Sequence, residues 1–168
     1  MAPYRLQALL DIRTRAEDEA KEAFSAAVKA CEAEKRTLAT MEQDLARKKA
    51  ERKAKVAAFL EEMTAKGGGI TAFQQMGRFE NRLKDEEAQL ALDIDRQRDA
   101  VEQAEKLVEQ RRADMATAAM EKKAIEKHKD GWVAEVRKER AQREELTQEE
   151  IGNTLHLQRV RAAAGKKS

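Results

Sequence analysis

Few side chains in this sequence could do chemistry, and their spacing keeps them from doing it together. His128 and His156 stand far apart on either side of a possible helix break, and no carboxylate or cysteine completes a site around either. Cys31 is the only thiol; no base beside it would activate a thiolate, and no metal-ligand spacing surrounds it. Gly67-Gly68-Gly69 lacks both the following Gly-Lys-Ser/Thr and the preceding strand of a phosphate-cradling loop. Glutamates are abundant, but a seam between helices offers no pocket in which paired carboxylates could be tuned apart. The histidines read as surface residues and Cys31 as a small buried hydrophobe. The expectation is no catalytic residue, no cofactor and no metal, and so no enzyme.

The elements that would carry these residues follow from composition. Charged residues make up 39% of the 168 residues and aromatics 4%, with a mean hydropathy of -0.82. That is too polar for a thick core and suits long helices meeting along a thin seam, in one domain. Disorder is the competing reading at the level of composition, and sustained periodicity argues against it. The formal net charge of +2 implies neither nucleic acid nor membrane. No apolar run approaches the ~20 residues that cross a bilayer, so the chain is expected not to span one. Met1-Ala2-Pro3 does not resemble the start of a signal peptide, and a cytoplasmic location is expected.

Lys66-Gly67-Gly68-Gly69-Ile70-Thr71 divides the chain. Each glycine destabilises a helix by ~1 kcal/mol relative to alanine, so three together read as a stop. Thr71, with Gln74 three residues on, has the form of a capping box that restarts a helix. The spacing predicts a first helix over about 4–65, a turn at 66–71, a second helix over about 72–151 or further, and a tail over about 152–168. Pro3 suits a first helical turn.

In the first arm Phe24, Cys31, Leu38 and Leu45 recur at seven-residue intervals; Arg52 interrupts the row and Phe59 resumes it. In the second arm the register runs from Phe73 through Met76, Glu80, Leu83, Glu87, Leu90 and Ile94 to Trp132 and Val136 without a phase slip. Such repeats specify a coiled coil. The predicted fold is all-α, a long antiparallel two-helix coiled-coil hairpin with unequal arms. A reversal at Gly68 pairs Tyr4 and Leu6 with Trp132 and Gly131, where glycine would admit the N-terminal residues closely. The basic run from Arg47 to Lys55 reads as a solvated stretch of helix, an acidic partner being the sharper alternative; without interleaved aromatics it does not read as a nucleic-acid site.

Beyond Val136 the second arm has no partner within the chain. This overhang holds eight cations and five carboxylates, with Leu146 and Ile151 embedded. A lone helix of this kind gains little in water, so either it frays or something surrounds it. Gly152-Asn153 could end it, Thr154 could cap a last turn, and the final Ala-Gly-Lys-Lys-Ser reads as a disordered tail. At the other end Phe59, Leu60, Met63, Phe73, Met76 and Phe79 crowd the turn. A two-helix tip cannot bury them all: they close the end of the hairpin or, left exposed, mark a docking patch.

Three stretches carry a family resemblance: Tyr4-Arg5-Leu6-Gln7-Ala8-Leu9-Leu10-Asp11-Ile12-Arg13, Ile70-Thr71-Ala72-Phe73-Gln74-Gln75-Met76, and Lys123 to Lys129 followed by Arg140 to Glu145. Together they resemble the FliJ/YscO group, the stalk proteins of type III export ATPases in flagellar and virulence secretion. Where that family often has an acidic pair after the Arg/Glu-rich run, this chain has Thr147-Gln148-Glu149-Glu150. The resemblance implies a hairpin whose paired termini enter a hexameric export ATPase and promote its assembly and hydrolysis. Its other end would touch a membrane export-gate protein, and family members can also handle export chaperones. The residues then implied at the ATPase ring are Tyr4, Arg5, Arg137, Arg140, Arg143, Glu144 and Leu146. The candidate partner contacts at the hairpin tip, read from the apolar residues themselves, are Phe59, Met63, Phe73, Met76 and Phe79. The alternative from another class is a coiled-coil chaperone or spacer working through the apolar tip; nucleic-acid binding is a distant third.

Overall fold

The computed structural model describes the backbone of residues 4–165 and the side chains of residues 4–162. It contains two helices, α1 (Gln7–Lys66, 60 residues) and α2 (Ile70–Gly165, 96 residues), packed as a two-helix hairpin. Pro3 and the last three residues of the expected tail lie outside the described residues. No described helix is long and apolar enough to cross a membrane.

The chain forms two packed units, one of Glu19–Ala116 and the other of Met1–Asp18 with Thr117–Ser168. In the first, Cys31, Ile94 and Val101 are buried. The α2 register predicted from Phe73 to Val136 faces α1 in both units: of its members only Phe73 and Arg111 are exposed. Among the described residues no large side chain is fully buried, as a seam between two helices requires.

Helix boundaries differ from those the sequence suggests. α1 begins at Gln7 rather than Tyr4, because residues 4–6 form a turn in which the Gln7 amide donates to the Tyr4 carbonyl at 3.1 Å. α1 stops at Lys66, and the following Gly67 has a φ of 70°, the left-handed conformation natural to glycine; its amide donates to the Met63 carbonyl at 3.0 Å. α2 is capped by Gly69, whose carbonyl accepts from Ala72 and Phe73, so Thr71 lies inside the first turn and the predicted capping box does not form there. At the far end α2 continues through Gly152 and Asn153 to Gly165. Thr154 caps nothing: its hydroxyl donates to the Glu150 carbonyl one turn back, within the helix. One glycine, at ~1 kcal/mol, does not end a helix flanked by good helix formers.

Candidate functional site

In the unit that holds the chain ends, the last packed layer is built on Tyr4. The turn at residues 4–6 brings its ring back against α2, 5.3 Å from Trp132 and 5.8 Å from His128 between ring centroids. Tyr4 Oη lies 2.7 Å from His128 Nδ1 in a hydrogen bond, and Tyr4 is only 8% exposed. The pairing of Tyr4 with Trp132 is the predicted one. Gly131 plays no part in it: the space where its Cβ would sit is open. His128 is exposed, as expected of a surface histidine, and is also the hydroxyl's partner. Below this layer Lys129 donates to Gln7 at 2.9 Å, Arg13 pairs with Glu121 at 2.6 Å, and Lys122 pairs with Glu17 at 2.9 Å.

Past Val136 every described side chain, from Arg137 to Ala162, is exposed. The residues the resemblance assigned to the ATPase ring therefore separate. Arg5, Arg137, Arg140, Arg143, Glu144 and Leu146 lie open, whereas Tyr4 is buried against α2. Within the overhang one ion pair forms among the described residues, Arg143 with Glu139 at 3.7 Å.

The tip belongs to the other unit. Phe59 and Phe73 meet edge to face with centroids 6.0 Å apart, and the methyl of Met63 occupies the place a Cβ of Gly68 would take. Met76 and Phe79 are half-buried, the Phe79 ring standing 5.3 Å from the Arg82 guanidinium and 6.0 Å from Lys55 Nζ. Phe73 remains 49% exposed and Ile70 79%, with Leu60 also open. Ile70 was not among the residues singled out at the tip; its place beside the helix-starting glycine was the available sign.

In one cluster the seam positions of Glu80 and Glu87 are legible in the sequence, but their cation is not. Arg52 is a member of the seam, its side chain 16% exposed, held by Glu87 at 2.8 Å and Glu80 at 3.4 Å. Lys48 pairs with Glu86 alongside, and Lys48, Arg52, Glu86 and Glu87 line a groove between the helices. Glu80 is held below the ordinary carboxylate range, first by its hydrogen bond to Lys84 and also by Arg52. A carboxylate kept ionised in this way serves as a structural counter-charge, not as a proton donor. Elsewhere in the seam Gln97 donates to the carbonyl of Glu34 at 3.1 Å and to its carboxylate. Among the described residues no group of histidine, cysteine and acidic side chains could hold a metal.

Comparison with known proteins agrees with this architecture. The family model for YscO-like proteins matches residues 1–162. A solved structure described as that of a YscO homolog, CT670 from Chlamydia trachomatis, superposes with a TM-score of 0.75 at 24% identity, covering 93% of this chain and 96% of that one. At that identity the likeness speaks for the fold. No curated protein matches the chain. With the family match reaching from the first residue almost to the last, the chain belongs to the YscO-like family of type III secretion proteins.

Proposed function

We propose that this protein is the central stalk of a type III export ATPase, working in the cytoplasm at the secretion apparatus. The observation that carries the reading is the bare stretch of α2 from Arg137 to Ala162, helical throughout and exposed throughout. At 1.5 Å per residue it extends ~40 Å, the scale of a protein ring. Such a helix has little reason to persist on propensity alone, and a surrounding partner supplies what it lacks. In this reading Arg5, Arg137, Arg140, Arg143, Glu144 and Leu146 face the ring, and Tyr4 holds the N-terminal turn in place beside them. The chain acts on hydrolysis by binding and contributes no catalytic group.

The test adds full-length protein, or residues 1–136, to the hexameric ATPase of the same secretion system. Full-length protein raises turnover and the truncated form does not. Equal stimulation by both would sink the reading.

The open apolar surface of Leu60, Ile70 and Phe73 supports a second role, docking an export-gate protein or an export chaperone at the tip. Ile70→Ser with Phe73→Ala should then remove capture of that partner while leaving ATPase stimulation intact. Retained capture would rule the tip out.

A further inference from the structure

We infer that the overhang is recognised through three successive belts of charge, and that its occupant is an enclosing channel lined by acidic, then basic, then acidic rings. The inference rests on the stalk reading and specifies the chemistry of the surface that reading requires.

Along the bare helix the charges are segregated. Residues 137–143 hold Arg137, Lys138, Arg140 and Arg143 against Glu139 alone. Residues 144–150 hold Glu144, Glu145, Glu149 and Glu150 with no cation. Residues 151–162 hold Arg159 and Arg161 with no carboxylate. Before the overhang, several charges pair across the two helices: Arg13 with Glu121, Lys35 with Glu105, Lys48 with Glu86 and Arg98 with Glu42. Among the described residues of the overhang the one ion pair is Arg143 with Glu139, and the other charged side chains from Arg137 to Arg161 are exposed.

Two geometric facts define the partner. At 100° per residue, the four charges of like sign in each of the first two belts distribute around the helix instead of forming a stripe, and Arg159 and Arg161 stand about 160° apart, so a flat surface could satisfy only part of each belt. A channel satisfies all of it. The first two belts are centred ~10 Å apart and the second and third ~20 Å apart, from the rise per residue. Electrostatic complementarity of this kind fixes register and admits the right partner without an apolar surface that would hold it fast. Leu146, Ile151, Leu155, Leu157 and Val160 are all exposed, but at 100° per residue Ile151 and Leu155 fall on the opposite side of the helix from the other three, so they form no continuous apolar face.

The test is a belt exchange in the full-length chain, R140E/R143E/E144R/E145R, which preserves net charge, length and helix-forming tendency. Circular dichroism checks that helix content is unchanged, and R140K/R143K serves as the conservative control. With the hexameric ATPase as probe, the exchanged variant should need at least tenfold more protein for half-maximal stimulation, and the lysine control should match the wild type. Wild-type stimulation should also weaken steeply with salt. Equal stimulation by the exchanged variant and the wild type overturns the belts while leaving the stalk reading intact. Equal stimulation by residues 1–136 overturns both.

Discussion

Replacing Tyr4 tests whether the packed layer beneath the overhang is organised as described. Its ring is buried against Trp132 and His128, and its hydroxyl bonds to His128 Nδ1. Burial of an aromatic body of this size contributes about 1.5–3 kcal/mol, and the ring pair roughly 0.5–1.5 kcal/mol more. The hydroxyl contributes about 1 kcal/mol or less, since His128 is exposed and water can replace it. Tyr4→Ala should therefore favour opening of the N-terminal turn by about 3 kcal/mol and Tyr4→Phe by about 1 kcal/mol, allowing for the relaxation open to a chain end. At 1.4 kcal/mol per tenfold, that is on the order of a hundredfold and a few-fold increase in opening. The chain has one tryptophan and one tyrosine, so Trp132 fluorescence quenching reports this layer directly. Hydrogen exchange at the start of α1 gives an independent reading of the same opening. Unchanged quenching and exchange in Tyr4→Ala would refute the packing argument. Equal effects of the two variants would place the energy in the hydroxyl instead. Tyr4→Phe should leave ATPase stimulation at the wild-type level, because the groups proposed to face the ring lie elsewhere.

Arg52→Met should lower the thermal midpoint of unfolding more than any exposed Arg→Met change, because Glu87 is left in the seam without its cation. The ion pairs also set a pH window. Glu80 is held below its ordinary range, so its contribution is present above that range and disappears as pH falls through it; Lys122 is raised, chiefly by its bond to Glu17, so its contribution disappears as pH rises beyond the ordinary lysine value. Thermal midpoints should accordingly decline at both extremes and be flat between. Gly67→Ala should destabilise by about 1 kcal/mol, since its positive φ strains any L side chain; Gly68→Ala should do less, because only the flexible end of Met63 has to move. Removing residues 137–168 should leave the thermal unfolding of the rest unchanged, as no described side chain from 137 to 162 is buried.

The parts of this structure legible in the sequence are those governed by repetition. The α2 register was readable because three-and-four spacing persists from Phe73 to Val136 whether the residue is leucine, glutamate or lysine, and Glu80, Glu87 and Lys122 face α1 as that spacing requires. Pairing of Tyr4 with Trp132 followed from a reversal at three glycines. Less legible were features decided by single competitions. Whether Thr71 or Gly69 caps α2 turns on one hydrogen bond, and whether α2 survives Gly152-Asn153 turns on a small propensity difference. Arg52 was hidden for another reason. Read within α1 alone it interrupts an apolar row, and only the opposing carboxylates of Glu87 and Glu80 turn that interruption into a seam residue.

The polar seam also explains why so thin a structure has one preferred pairing. Alanine, leucine and methionine on two long helices could slide past one another by a heptad with little loss of buried area. Arg52 cannot: displaced by seven residues along α2 it would leave the Glu87 carboxylate unpaired among seam side chains, a loss that apolar contacts do not recover. In the unit of the chain ends, Glu17 with Lys122 imposes the same requirement, and Gln97 with Glu34 imposes it in the other. Such layers stabilise the native pairing less than leucines would, but they penalise its alternatives more. For a protein proposed to place one bare helix inside a ring, a fixed register is the property that matters. It determines which residue of α2 is the last to be covered, and so where the exposed helix begins.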